Sequence, residues 1–418
     1  MELSDFGERF AKNAGILSLM NDLGDALAQG NDGMIMMGGG NPAHIKAVQD
    51  VLRERMKNIL ENEKEFKRLI GIYNPPQGDK GFISSLAGLF RNRLGWNITE
   101  KNIVLTNGSQ AAFFIIFNML AGKFKDTLTR NILFPLAPEY IGYTDVGLTD
   151  DFFTAVKPDI EFLDDHMFKY HVNFDNLRLS DRIGAICVSR PTNPSGNVLT
   201  DREIERLDSL SRENGTPLIV DSAYGCPFPS IIFTEANPVW NENIILCMSL
   251  SKLGLPAART GIVVAREEYI KAISNVNAII NLAPNSFGNM LAMDLVKNGT
   301  IIEMSRNVIR PFYEKRSKRA VEYAKQELDG CDYFIHKPEG SIFLWLWFRG
   351  LPITSLDLYT RLKNRGVLVV SGHYFFPGIR EEWDHMHECI RVTYSQDEEG
   401  IRKGMKIIGE EVKKAYAE

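Results

Sequence analysis

Short apolar runs alternate with helical segments through the middle of the chain, from about residue 100 to residue 265. Several runs end in glycine, serine, asparagine or proline. Buried strands have this length and these endings, whereas a helix in a globular protein is usually longer. Strands that alternate with helices form a mostly parallel sheet that is covered by helices on both faces. The pattern therefore predicts an α/β domain built on such a sheet.

Chemically distinctive residues follow these runs, at the places where strands would end. Sheets of this kind bind ligands at the carboxyl ends of their strands. The segments concerned are TNGSQ (106–110), PEYIGY (138–143), SRPTNPSG (189–196), DSAYG (221–225) and SLSK (249–252). Their convergence on one edge predicts a ligand site there.

Lys252 lies between two apolar runs and among small residues. Burial there would lower the pKa of its amine, and a neutral lysine amine can form a Schiff base with an aldehyde. Ser249, Ser251 and Arg259 are close enough along the chain to hold a phosphate together. A lysine beside a phosphate site suggests pyridoxal phosphate, although a plain loop lysine fits these residues about as well.

The cofactor needs further support, for which the sequence offers candidates. Asp221, at the end of a buried strand, could face the pyridine nitrogen, or could simply cap a turn. Tyr224 and Asn193 could donate hydrogen bonds to the phenolic oxygen of the cofactor. Tyr140 could supply an aromatic platform against the ring.

The remaining candidates are anion ligands. Ser109 and Gln110 follow a glycine and open an apolar helix, whose free N–H groups could bind phosphate together with Ser249 and Arg259. A serine N-cap of a buried helix is an equally common alternative. Arg391 lies inside an apolar strand, where a buried arginine must pair with a protein acid or with a ligand carboxylate.

The ends of the chain predict a second unit. Residues 300–329 resemble one long helix that Pro311 would kink, and the strands after it alternate with helices in a smaller α+β pattern. A strand at 34–38 needs a sheet and could join this unit. We therefore predict a large domain over 51–305 and a small domain formed by 1–50 and 306–418.

Composition excludes several classes of function. The net charge of −5 gives no electrostatic case for binding nucleic acid or a membrane surface. The five cysteines form no CxxC pair, and the first residues do not resemble a signal peptide. No apolar run approaches the length of a membrane span. These features predict a cytoplasmic protein with reduced thiols and no metal site.

The segments quoted above, followed by SLSKLGLPAARTG (249–261) and IRV (390–392), resemble the fold-type I aminotransferases in order and spacing over nearly the whole chain. One departure is Ser195, where the family commonly has threonine in Asn-Pro-Thr-Gly, and the hydroxyl is kept. The resemblance implies a large domain that binds pyridoxal 5′-phosphate on a sheet of the seven-stranded type, with a smaller α+β domain.

The resemblance also implies a role for each candidate. Lys252 matches the lysine that attaches to the cofactor and shuttles the substrate proton. Asp221 matches the partner of the ring nitrogen, and Gly40 matches a position that holds the substrate carboxylate together with Asn193 and Arg391. Tyr73 matches a tyrosine that reaches the phosphate of the neighbouring subunit, which implies a homodimer with shared active sites. The other matches are Tyr140, stacked on the ring; Tyr224 and Asn193, on the phenolic oxygen; and Ser109, Gln110, Ser249 and Arg259, on the phosphate.

The activity implied by the resemblance is ping-pong transfer of the amino group of L-valine to pyruvate, giving 2-oxoisovalerate and L-alanine. Ile16 and Leu17 lie where the family's N-terminal segment covers the substrate, although they could equally be ordinary packing. Two alternatives stay open: an aminotransferase of other or broader aliphatic specificity, and a lyase or synthase on the same scaffold. A binding module without activity is hard to reconcile with the presence of Lys252, Asp221, Arg259 and Arg391 together. A DNA-binding regulator would carry an additional domain and a basic face, and these residues predict neither.

Overall fold

The computed structural model of the chain describes residues 2–11, 17, 24 and 34–418. Helices and strands alternate along most of this length. The strands are β1 (Ile35–Met36), β2 (Ile103–Thr106), β3 (Gly122–Lys123), β4 (Thr129–Phe134), β5 (Phe153–Ala155), β6 (Asp159–Leu163), β7 (Met167–His171), β8 (Ile183–Ser189), β9 (Leu218–Asp221), β10 (Ile244–Ser249), β11 (Gly261–Val264), β12 (Tyr333–His336), β13 (Phe343–Phe348), β14 (Val367–Leu368), β15 (Val370–Ser371) and β16 (Cys389–Thr393).

The helices begin and end where the sequence supplies caps and breaks. In the helix at 201–213, Thr200 and Glu203 form the capping box that their spacing allows. The α-helices are α1 (Asp5–Phe10), α2 (Lys46–Glu61), α3 (Glu63–Gly71), α4 (Lys80–Leu94), α5 (Ser109–Leu120), α6 (Asp201–Glu213), α7 (Glu267–Ile280), α8 (Phe287–Lys297), α9 (Thr300–Met304), α10 (Arg310–Leu328), α11 (Ser355–Asn364), α12 (Asp384–His387) and α13 (Glu398–Ala417). Among the described residues, the helices are too short or too polar to cross a membrane.

The large sheet confirms the predicted α/β class. Its strands lie in the order β2-β11-β10-β9-β8-β4-β3, and β5 also pairs with β4. The neighbours β10, β9, β8, β4 and β5 run parallel, whereas β11 is antiparallel to β10 and β2. In the register, Ser189 lies opposite Asp221, and Asp221 lies opposite Cys247. Three adjacent strands therefore end side by side at one edge.

A second sheet has the order β15-β16-β13-β12-β7-β6, and β1 pairs with β14 as a separate parallel ribbon. The strand predicted at 34–38 thus finds its partner in the C-terminal part of the chain. The hairpin of β6 and β7 joins the second sheet through β12, although it lies within the range 51–305. The division into two domains stays a prediction.

The helix predicted over 300–329 is interrupted. A π-helical turn, Ser305–Ile309, separates α9 from α10, and Pro311 lies in the first turn of α10. Proline has no N–H to donate and fits best at the start of a helix, which explains why the break falls just before it.

Candidate active site

A cavity of about 770 Å³ opens at the carboxyl edge of the large sheet. It brings together residues from the strand ends, from the glycine-rich segment after β1 and from β16. The predicted site residues that line it are Gly40, Ser109, Gln110, Tyr140, Asn193, Asp221, Tyr224, Ser249, Lys252, Arg259 and Arg391. Tyr73 lies outside the cavity, with its side chain 81% exposed.

Lys252 follows β10 in a single 3₁₀ turn, Ser251–Leu253. Its Nζ donates a hydrogen bond to the carbonyl oxygen of Gly40 at 2.5 Å and lies 5.2 Å from the centre of the Tyr224 ring. Burial, aided by the nearby charges of Arg391 and Arg259, lowers the pKa of Lys252 to about 8. The lowered pKa leaves roughly a tenth of this amine neutral at pH 7, far more than in an exposed lysine, and the neutral form is the nucleophile.

Asp221 is buried at the end of β9, and both its oxygens are hydrogen bonded. Tyr143 donates its hydroxyl to Oδ2 at 2.6 Å, and the backbone N–H of Ala223 donates to Oδ1 at 2.9 Å. Burial raises the pKa of Asp221 to about 6, against the lowering effect of these donors and of the Lys252 charge. The carboxylate therefore favours a cationic partner in the cavity.

Arg391 is only 2% exposed and has no acidic partner among the described residues. Its guanidinium donates to Asn193 Oδ1 and to the Gly38 carbonyl oxygen, both at 2.7 Å, and lies 4.0 Å over the Phe343 ring. Its Nε–H has no partner. Burial lowers the pKa of Arg391 to about 10, so the group stays charged at neutral pH. Arg391 is therefore a buried cation that lacks an acidic partner and keeps a spare N–H donor. Such a group is suited to bind an anionic ligand.

Hydroxyl and backbone N–H groups collect at a second point of the cavity. Ser249 and Ser251 are joined through their hydroxyl oxygens at 3.0 Å. Gly108, with φ of +85°, precedes α5, and a Cβ at this position would collide with the Arg259 guanidinium. Glycine therefore lets Arg259 approach the N-terminus of α5, where Ser109 lies. Hydroxyls, a helix N-terminus and a guanidinium together suit a phosphate.

Two residues of the site were not among the predicted ones. Arg316 lines the cavity, as the predicted Ser251 does, and Tyr143 donates a hydrogen bond to Asp221. Tyr143 stands in the same PEYIGY segment as Tyr140, so the segment was recognised while the role of its last tyrosine was missed. Of the two residues predicted to cover the substrate, Ile16 lies outside the described residues, and Leu17 is 45% exposed.

The amino-acid sequence is similar to those of known aminotransferases. Residues 32–408 match the family model described as aminotransferase class I and II. The chain is 50% identical to the valine–pyruvate aminotransferase of Escherichia coli (strain K12), over the full length of both chains.

Two solved structures are also similar. A putative amino-acid aminotransferase from Psychrobacter arcticum 273-4 has 47% identity and a TM-score of 0.96, with 100% of this chain and 99% of that chain covered. The valine–pyruvate aminotransferase from Salmonella typhimurium LT2 has 48% identity and a TM-score of 0.88, with 96% and 100% covered.

Proposed function

The chain belongs to the class I and II aminotransferases, and we propose that it transfers the amino group of L-valine to pyruvate, giving 2-oxoisovalerate and L-alanine. The observation that carries this choice of substrates is the 50% identity, over the whole length of both chains, to the E. coli valine–pyruvate aminotransferase. The lysine, the carboxylate and the arginine that such a reaction needs all line one cavity in this chain.

The donor set fits pyridoxal 5′-phosphate, which supplies an electron sink for the carbanion formed when the substrate Cα loses its proton. Lys252 would attach to it, and Asp221 would pair with its ring nitrogen. Its phenolic oxygen would accept hydrogen bonds from Tyr224 and Asn193, and Tyr140 would support the ring. The residues that would hold its phosphate are Ser109, Gln110, Ser249 and Arg259.

Each remaining group has a part in handling the amino acid. Arg391 would bind the α-carboxylate with its free N–H groups, beside Asn193 and the backbone of Gly40. The neutral Nζ of Lys252 would take the proton from the substrate Cα as a general base, and would then return it as a general acid at the cofactor carbon C4′. Because both half-reactions use the same groups, amino acid and 2-oxo acid bind in turn, in a ping-pong sequence.

We also propose a homodimer in which Tyr73 reaches the phosphate of the neighbouring subunit. The exposed Tyr73 side chain is accompanied by large exposed apolar side chains on α3 and just after it, Ile70 and Ile72, and at the end of α7, Ile279 and Ile280. An apolar surface of this kind is typical of subunit interfaces. The five cysteines are all unpaired, which supports a cytoplasmic location.

Product analysis tests the proposed reaction. Purified protein loaded with pyridoxal 5′-phosphate should convert L-valine and pyruvate into equal amounts of 2-oxoisovalerate and L-alanine. Lys252→Ala should abolish this conversion, whereas Lys271→Ala, which removes an exposed lysine on α7, should leave it unchanged. Release of ammonia without L-alanine would instead favour a lyase. Faster transfer from another aliphatic donor would correct the substrate and keep the reaction class.

A further inference from the structure

The Tyr143 hydroxyl is hydrogen bonded to one oxygen of Asp221. It donates to Oδ2 at 2.6 Å, while Oδ1 accepts from the backbone of Ala223. We propose that Tyr143 is a positioning residue for the cofactor, acting through Asp221 to strengthen the pairing of this carboxylate with the ring nitrogen. The proposal rests on the proposed function, because it requires that pyridoxal 5′-phosphate is the cofactor.

The Tyr143 ring is held in place by other rings. The side chain is fully buried. Its ring lies 4.9 Å from Phe113 and 5.2 Å from Phe117, measured between centroids, and it stacks on Phe134 at 5.8 Å. Rings packed at these distances leave little freedom of rotation. The hydroxyl is therefore fixed where it meets Asp221, and the aspartate is oriented before any ligand binds.

The direction of the hydrogen bond follows from the distances to the two possible acceptors. Ser189 lies beside Asp221 in the sheet register, and its hydroxyl is 3.5 Å from that of Tyr143. The Ser189 hydroxyl is hydrogen bonded to the buried Glu139 at 2.5 Å, and the Ser189 N–H donates to the same carboxyl group. Asp221 Oδ2 is much nearer to the Tyr143 hydroxyl, at 2.6 Å, and the Tyr143 proton is donated to it.

This arrangement opposes the effect of burial on Asp221. Burial favours the neutral carboxylic acid, and a hydrogen bond donated to the carboxylate favours the ionised form. A buried tyrosine hydroxyl always needs an acceptor, so the bond alone would also suit a purely structural tyrosine. A positioning role through Asp221 depends on whether the ligand offers this carboxylate a cationic partner. A purely structural role of Tyr143 does not depend on the ligand.

The test compares two ligands of the apoprotein: pyridoxal 5′-phosphate and its analogue in which the ring nitrogen is replaced by C–H. Tyr143→Phe removes the hydroxyl and keeps the ring. Loss of a hydrogen bond to a charged group should weaken binding of pyridoxal 5′-phosphate by about 10- to 100-fold. Binding of the analogue, which offers Asp221 no cationic partner, should change less than about twofold. Equilibrium dialysis measures both constants.

Tyr170→Phe is the matched control, because Tyr170 is also fully buried and its hydroxyl bonds to Trp345 and His385, away from the cavity. It should leave both affinities unchanged. In an Asp221→Asn background, Tyr143→Phe should have no further effect on the binding of pyridoxal 5′-phosphate.

Three results would show that Tyr143 has only a structural role: an equal loss of affinity for both ligands, unchanged affinity for pyridoxal 5′-phosphate, or failure of Tyr143→Phe to fold. Each would overturn this inference and leave the proposed function standing. Failure of the wild-type protein to bind pyridoxal 5′-phosphate would overturn the proposed function together with it.

Discussion

Replacement of Arg391 by lysine keeps the positive charge of the buried cation and changes its number of donors. A guanidinium has five N–H groups. Two are used by Asn193 and by the Gly38 carbonyl, which leaves three for a ligand, the unpartnered Nε–H among them. A lysine that satisfied the same two acceptors would keep one donor. Arg391→Lys therefore changes a two-point contact with the substrate carboxylate into a one-point contact.

Loss of one charge-assisted hydrogen bond corresponds to about 1.5–3 kcal/mol, so kcat/KM for L-valine should fall by roughly 10- to 150-fold. The affinity for pyridoxal 5′-phosphate should be unchanged, because Arg391 is not among the groups assigned to the cofactor. Steady-state kinetics with saturating cofactor measures the first quantity, and a cofactor titration measures the second. Arg349→Lys is the control, since Arg349 pairs with Asp332 on the surface. A kcat/KM within twofold of the wild-type value, or loss of cofactor as the main effect, would refute the assignment of Arg391.

Three further predictions concern pH and assembly. The rate at which pyridoxal 5′-phosphate attaches to the apoprotein should rise with pH to about 8 and then level off, because burial lowers the pKa of Lys252 to about 8. Stopped-flow absorbance measures this rate. A rise that continued beyond pH 10 would indicate an exposed lysine. Burial raises the pKa of Glu139 from 4.5 to about 8, so the folded chain holds a proton that the unfolded chain releases in this range, and stability should decline as pH rises through it. Glu139→Gln should make this decline shallower in thermal unfolding, and an identical slope would contradict the buried, protonated state. Mixing the variants Tyr73→Ala and Lys252→Ala after mild dissociation should restore activity, because a hybrid dimer contains one intact site; no gain over either variant would contradict sharing of Tyr73.

The main features of the site could be predicted because they depend on backbone order. Parallel strands place their carboxyl ends on one edge, so residues such as Asp221 and Ser249 had to meet once the strands were recognised. The buried position of Arg391 followed from the apolar residues on either side of it. Its lack of an acidic partner did not, because that depends on which side chains the fold brings near β16.

The hydrogen bonds around Asp221 could not be predicted either, because they also depend on which side chains the fold brings together. Tyr143 reaches Asp221 across 78 positions of the chain, and Ser189 reaches Glu139 across 50. No local pattern specifies such partners, since they depend on the register of β8 beside β9 and on the packing of rings over the sheet. The π-helical turn before Pro311 was missed similarly: the proline predicts a kink, while the local form of the helix there is set by tertiary packing.

Reduction of the loaded protein with borohydride, followed by peptide mapping, tests the assignment of Lys252 most directly. We predict that the purified protein absorbs visible light with pyridoxal 5′-phosphate bound, that L-valine removes this absorption and pyruvate restores it, and that reduction leaves a pyridoxyl group on the peptide containing Lys252. A pyridoxyl group on another lysine, or no visible absorption after addition of the cofactor, would contradict the assignment of this cavity as the site of amino transfer.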